Sequence, residues 1–475
     1  MNSMIKEKGV TFKELERNIF NSACEWARNS TAELLETYDK YLADSRDKKA
    51  YRHKGKRTTT VKTVYGEVSY QRAVYETIDD TGHKKYVYLL DETLDLAQVG
   101  LISTNLAEQL VGGIVEMSYR ECAEKISTMT GQKISAMGVW NVIQSLGSEV
   151  CKEEEELVVA HKSKQLQGNK EAPVLFEEAD GVYLRLQGRD RQTSQKGKAE
   201  MKVGLAYDGW KCIGKERYQL NGKVAVAGFS KAKDFQEYRE AAIAEIYNLD
   251  ETEVRVLNGD GASWIKKVKD KSTCFQLDPF HKYKAIKDKV IDKRAAKSIR
   301  ELLDEGNIEE MFRYLEIYRN SLSEDIEIEK IDDLIRYFKN NREGLLPYQK
   351  QDINFPASPE GLEYRNMGTM ENHIWSIIAK RMKHNHTSWS KRGGNHLAKI
   401  LAKKCSGRLH EVTQRLTRPI FEKEIIEDLQ QEILTAGRAP KTDGKGYEYA
   451  TCGHLISLES PLRGNRHKRL SLAGY

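Results

Sequence analysis

Several common signposts are missing from this 475-residue chain. No apolar run approaches the roughly 20 residues that a membrane span requires, and the opening MNSMIKEKGV lacks the apolar stretch of a secretory signal. A cytoplasmic protein without a membrane partner is expected. The seven cysteines are scattered, odd in number and without a CxxC pair, which argues against a disulfide framework or a closed zinc site. Proline is scarce, at 8 residues. With hydrophobic residues at 39% and charged residues at 31%, the composition is that of a soluble, helix-rich globular protein, not a disordered or fibrous one. The length exceeds one ordinary core, and the usual roughly 100 to 200 residues per domain implies two to four units.

What is present is charge, and its distribution matters more than its net value of +6. From Lys380 to Arg418 a basic series runs through Lys380, Arg381, Lys383, Lys391, Arg392, Lys399, Lys403, Lys404, Arg408, Arg415 and Arg418, with Glu411 as the only acid. That pattern fits a nucleic-acid footprint and equally a solvated helix face.

Periodicity divides the chain. Residues 1–46 read as a long helix, and 47–90 as a basic stretch followed by a β-hairpin around Gly66. Residues 91–150 read as helical. Within them Ser118 to about Met129, a Gly131 turn, a Ser135 cap and a second helix resemble a helix-turn-helix, a pattern that any helical hairpin also satisfies. A charged and polar stretch follows from about Val150 to Lys170, which suits a helix end and a linker. Residues 171–294 then alternate: three strands, helix, strand (VRVLNGDG), helix, strand (TCFQLD), helix. This order implies α/β architecture with a mixed sheet. Residues 295–354 are an almost wholly helical insertion. Residues 355–436 return to the α/β unit with basic helices, and 437–475 read as a basic tail.

Two aspartates interrupt apolar strands. Asp180 follows VLFEEA and precedes Gly181; Asp260 follows VRVLNG and precedes Gly261. Asp-Gly is a common turn dipeptide, yet an unpaired carboxylate in a core strand costs several kcal/mol unless a cation or donors compensate. Glu371 lies in line with Ile374, Ile378 and Met382 at helical spacing, which predicts that it faces the sheet; an acid at a helix N-terminus after Thr369 is the other reading. Glu178 shares a strand face with Asp180 and Glu177 does not, making Glu178 a possible accessory ligand. Asp208, before Gly209, reads as a hairpin-turn residue. Three converging carboxylates would repel one another unless cations sat between them. Hard oxygen donors select Mg²⁺ or Mn²⁺, and two such ions about 3.5 to 4 Å apart support in-line phosphoryl displacement. A glycosidase with paired carboxylates would need neither metal nor basic tract.

These residues, in this order, resemble the DDE transposases, whose catalytic domain is ribonuclease H-like. EEADGVYL, VLNGDGASWI, LDPFHKYK and MGTMENHIWSIIAKRMK look like the ISLre2-type insertion-sequence transposases, a group also catalogued as an uncharacterised conserved family. The N-terminal YGEVSYQRAVY and LLDE fit as well. The resemblance implies a ribonuclease H-like mixed sheet with a helical insertion, preceded by a mainly helical DNA-binding region. It implies Asp180, Asp260 and Glu371 as catalytic, metal-binding residues for two Mg²⁺ or Mn²⁺ ions, with the insertion filling the long gap before Glu371. Asp278 and His281 resemble a C/DxxH motif; a structural histidine on a strand-to-helix turn is the alternative. The partners implied are double-stranded DNA (element terminal repeats and target) and further copies of the chain, at least a homodimer, at the nucleoid. Lys380, Arg381, Lys383, Lys391, Arg392, Lys399, Lys403 and Lys404 are the expected DNA contacts. Trp375 and Trp389 are candidate base-stacking residues, Trp375 being better explained by core packing. A catalytically silent, transposase-derived DNA-binding protein is the rival expectation.

Overall fold

The computed structural model describes residues 10–94, 101–266, 273–384 and 386–417. The expected basic tail and Arg418 lie outside them. Helix α1 (Phe12–Ser45) opens with a capping box in which Thr11 and Glu14 satisfy each other's backbone donors. Strands β1 (Arg52–Thr63) and β2 (Gly66–Ile78) form the expected hairpin, with Thr63 opposite Gly66. A third strand, β3 (Lys84–Val87), pairs with β2 and was not expected.

Helices α2 (Leu89–Leu94) and α3 (Thr104–Ile114) lead to the predicted helical pair. Ser118 and Glu121 form the capping box of α4 (Tyr119–Thr130), and Gly131 closes it at φ 65. The Ser135 hydroxyl accepts from the Gly138 amide to start α5 (Ala136–Lys162). The capping signals set these boundaries. The helix end expected from about Val150 is the second half of α5, which runs to Lys162, and the expected linker follows it. Val139, Val142, Ile143, Leu146 and Val150 form one buried stripe that carries the helix through Gly147. Gly147 lies where α15 (Lys391–Cys405) packs: a Cβ there would stand 2.4 Å from the His396 Cβ.

The larger sheet contains β4 (Val174–Arg185), β5 (Lys198–Tyr207), β8 (Val224–Gly228), β9 (Val254–Gly259) and β10 (Thr273–Leu277). Its order is β10-β9-β4-β5-β8. Strand β5 is antiparallel to β4 and to β8, whereas β9 is parallel to β4 and to β10. The chain is therefore mixed α/β, as expected. Between β5 and β8 lies a small hairpin that the sequence reading missed, β6 (Trp210–Gly214) with β7 (Arg217–Leu220). Asp208, just before it, is not a simple turn acid: it is buried, bonded to Lys170 Nζ at 2.8 Å and to the Asn221 amide.

One sheet face (Val174, Phe176, Val182, Leu184) shares a core with α3, α4, α5, α15 and the Met370–Met382 segment. The other face (Leu175, Ala179, Leu257) packs against α7 (Ala232–Ile246) and the helices after β10. Those are α9 (Pro279–Lys289), α10 (Lys293–Glu305), α11 (Ile308–Asn320) and α12 (Asp325–Asn340), the last three being the expected insertion. On this second face Glu177, Arg255, Glu240 and Arg239 make a buried ion network, with Arg255 bidentate to Glu240 at 2.8 Å. Among the described residues no helix is long and apolar enough to cross a membrane.

Candidate metal centre

The β-pairing sets the first two aspartates side by side. Ala179 on β4 is the register partner of Gly259 on β9, so Asp180 and Asp260 are the next residues along two adjacent parallel strands. Asp180 is buried at 9% exposure although it has only a local hydrogen bond, from the Gly181 amide. Glu371 enters from the other side, at the start of α13 (Met370–Ile374). Oxygen atoms of Asp180 and Glu371 and a ring nitrogen of His281 lie within 4.8 Å of one another. These three side chains come from three elements far apart in sequence.

Asp260 does not belong to that group. One of its carboxylate oxygens accepts from the Ala262 amide at 2.8 Å, and burial pushes its carboxyl pKa up, with the nearby Asp180 charge acting in the same direction. The two flanking glycines have structural causes. Gly261 sits at φ +88, and a Cβ there would lie 2.3 Å from the Asn341 Oδ1; a Cβ on Gly259 would meet Ile265 at 2.8 Å. These positions make room for the protein's own packing. The Tyr337 hydroxyl donates to the Asp260 carbonyl at 2.8 Å, so α12 of the insertion holds the Asp260 turn.

His281 is placed by its own helix cap. Asp278 follows β10, its side chain accepts from the His281 amide as N-cap, and Pro279 takes the first helical position. This points the His281 Nε2 at the Asp180 Oδ2, 3.4 Å away. Contact with Asp180 raises the imidazole pKa against the opposing effect of burial. The separation suits an ion pair, but the buried Nε2 has no well-directed hydrogen bond. A buried ring nitrogen without a well-directed hydrogen bond, facing two carboxylates, fits a divalent cation once the ring is neutral. Carboxylate with imidazole accepts Mn²⁺ more readily than Mg²⁺.

In the cation-free protein the His281–Asp180 pair is strongest with a protonated ring. Its stabilisation is therefore complete below the ordinary imidazole pKa and is lost as pH rises through the elevated one. An NMR titration of the His281 ring should show a midpoint above that of a free imidazole, and Mg²⁺ should lower it by competing for the neutral ring. A midpoint indifferent to Mg²⁺ would remove His281 from the cation site.

Glu178, the expected accessory ligand, lies outside the group of Asp180, His281 and Glu371. It is fully buried, and its oxygens accept from the Tyr207 hydroxyl at 2.7 Å, the Asn258 amide at 3.0 Å, the Gly368 and Thr369 amides at 3.3 and 3.0 Å, and the Thr369 hydroxyl. Burial raises its pKa. Asn258 also donates to Asp278 at 2.8 Å and accepts from Gln276 at 3.2 Å. A buried polar ladder therefore crosses β5, β4, β9 and β10 and ties the residues before Glu371 to the strand that carries Asp180.

Two expectations about α13 change. Glu371 is exposed to solvent although its carboxylate reaches Asp180 on β4, while Ile374, Ile378 and Met382 are buried as the stripe predicts. A π-helical turn, Trp375–Ala379, follows α13, and such turns are frequent at functional sites. Trp375 is 53% exposed, whereas Trp389 is buried and donates to the Met382 carbonyl at 2.8 Å. Core packing thus belongs to Trp389. Glu200 on β5, close to Gly181 and Lys202, is a further acid near Asp260. Its signal was Glu-x-Lys alternation in a strand that is otherwise apolar.

The basic series separates into two groups. Lys399 is buried against Glu154, Lys403 pairs with Glu411 at 2.6 Å, and Lys380 and Lys404 share Glu116. Arg381 donates to the Ile114 carbonyl at 2.8 Å and lies over Tyr119 and Trp389. Lys383, Lys391 and Arg392 are exposed and have no ion-pair partner among the described residues.

A protein-family model described as "Uncharacterised protein family (UPF0236)" matches residues 5–417. One similar protein is a UPF0236 protein of Caldanaerobacter subterraneus subsp. tengcongensis, 26% identical over 421 residues, covering 86% of this chain and 80% of that one. Its name joins eleven designations in that organism. Another, the UPF0236 protein in the vanSb 3′ region of Streptococcus gallolyticus, is 25% identical over 436 residues and covers 90% of each chain.

Proposed function

The chain belongs to the uncharacterised family UPF0236, and we propose that it is a metal-dependent DNA transposase with a ribonuclease H-like catalytic domain. It would bind the terminal repeats of its own element, cleave phosphodiesters and transfer the 3′ ends to target DNA. The observation that carries this reading is the convergence of Asp180, Glu371 and His281 within 4.8 Å, at the edge where Asp260 ends the neighbouring strand. The sheet supports it too. Three antiparallel strands, β8-β5-β4, continue into β9 and β10 parallel to β4, the strand order of a ribonuclease H-like domain, with the helical insertion between the second and third acids.

Mg²⁺ or Mn²⁺ bound there would polarise the scissile phosphate and activate water or a 3′-hydroxyl. Asp180 and Glu371 would hold one ion, with Asp260 beside them for the second. His281 would hold its ring toward Asp180 and the ladder through Glu178 would fix Glu371. The α4–α5 pair is the proposed N-terminal DNA-binding element. Bringing two element ends together needs at least two copies of the chain. The relative named by eleven designations in one organism also fits, because a mobile element accumulates copies.

The deciding assay incubates the full chain with duplex carrying the element ends, with Mg²⁺ or with EDTA, beside Asp260→Ala. Cleavage and joined products should require Mg²⁺ and disappear in the variant. If both proteins bind the ends and neither cuts, the chain is a non-catalytic DNA-binding protein.

A further inference from the structure

Strands β4 and β5 continue past Asp180 as a two-stranded extension, from Val182 opposite Met201 to Arg185 opposite Lys198. Its tip, residues 186–197, holds a short helix, Gly188–Gln192, and a turn in which Lys196 adopts φ 52. Arg185, Arg189, Arg191, Lys196 and Lys198 are all exposed, and none has a carboxylate partner among the described residues. This differs from Lys380, Lys399, Lys403 and Lys404, each of which is matched by an acid.

The tip is not a loose hairpin. The Trp389 amide donates to the Arg185 carbonyl at 3.0 Å, the Gln187 amide donates to the Trp389 carbonyl at 2.9 Å, and the Asp190 carboxylate accepts from the Lys391 amide at 2.7 Å. These bonds join it to the start of α15, bringing Lys391 and Arg392 onto the same surface. Asp190 is occupied in that joint. A fixed surface with many uncompensated cations keeps a positive local potential, which suits a polyanion with regularly spaced charge.

We propose that the β4–β5 tip, with the first turn of α15, is the surface on which the backbone of duplex DNA lies as it approaches the acidic centre. This rests on the transposase reading and specifies its substrate path. The spacing is suitable. At about 3.3 Å per strand residue, Arg185 lies roughly 17 Å along β4 from Asp180, about half of the roughly 34 Å turn of B-DNA. A duplex lying along β4 with a phosphate of one strand at Asp180 would bring the backbone of its other strand toward the tip.

The test uses the full chain in EDTA, so that binding is read without cleavage, and a fluorescent 30-base-pair duplex of arbitrary sequence titrated at several salt concentrations. The variant Arg189→Gln/Arg191→Gln/Lys196→Gln should bind at least about tenfold more weakly, and its log K against log salt should flatten by about three. The control Lys297→Gln/Arg313→Gln/Arg336→Gln, on exposed faces of the insertion, should match wild type, and unfolding temperatures should agree for all three proteins. If wild type binds and the tip variant keeps both affinity and slope, the proposed path is overturned while the transposase reading stands on its cleavage assay. If wild type binds no duplex, element ends included, path and reading fall together.

Discussion

Asp180→Asn is expected to reduce Mg²⁺-dependent DNA cleavage by at least about a thousandfold, the scale of losing a group on which the transition-state electrostatics depend. Asparagine keeps the shape of the side chain and removes its charge. Asp180 is the common neighbour in the centre: it faces His281 at 3.4 Å, lies in the group with Glu371 and sits one residue beyond the register match that brings Asp260 alongside. No other acid there touches all of these. The fold should survive, because the only long-range partner of the Asp180 carboxylate among the described residues is His281 and its directed hydrogen bond is to the adjacent Gly181 amide. Removing its charge relieves the repulsion that helps to raise the Asp260 pKa and also removes the His281 ion pair, so the cation-free variant should match wild type in stability above the elevated imidazole pKa and be less stable than wild type at lower pH. Duplex affinity in EDTA should be equal or slightly higher, since one negative charge has left the DNA-facing side. Cleavage by Asp180→Asn within about tenfold of wild type would remove this carboxylate from the chemistry.

How far the sequence discloses this site depends on how local each signal is. Asp180 and Asp260 are legible because an acid in an apolar strand is costly and the chain marks both with glycine. The α4 and α5 starts are legible because Ser118, Glu121 and Ser135 act on amides three residues away. Features set by distant partners are not. Nothing near Glu178 says that its donors will be Tyr207, Asn258 and Thr369, so its burial resembles that of a ligand. Lys399 looks like a DNA contact until Glu154, from another helix, is found against it. The second half of α5 reads as a helix end because four consecutive acids, Glu153 to Glu156, interrupt its apolar residues, although Val150 still anchors it in the core. The glycines beside Asp260 required the insertion to be seen, since Asn341 is what fills the space at Gly261.

Glu178 is the residue through which this distant architecture reaches the centre, and Glu178→Ala should have the largest effect on stability near the site. The substitution removes the acceptor of five donors at once. A buried donor left without a partner costs about 1–3 kcal/mol, and partial relaxation or entry of water lowers the sum. A loss of about 3–5 kcal/mol is expected, measured as the shift in chemical-denaturation midpoint at constant slope. Cleavage should fall as well, for a separate reason. Gly368 and Thr369 lie just before Met370 and Glu371, and without Glu178 they lose their hydrogen bonds to β4, so Glu371 is held less firmly beside Asp180. The isosteric Glu178→Gln distinguishes the two effects. Its carbonyl oxygen still accepts and the hydroxyls of Tyr207 and Thr369 can turn to accept from the new amide, so much of the stability returns. The readout of positioning is then cation affinity. Under conditions where both variants are folded, Glu178→Ala should bind Mn²⁺ at least about tenfold more weakly than wild type, while Glu178→Gln recovers most of that affinity. If Glu178→Ala is destabilised yet binds Mn²⁺ as wild type does, Glu178 supports the core without positioning Glu371.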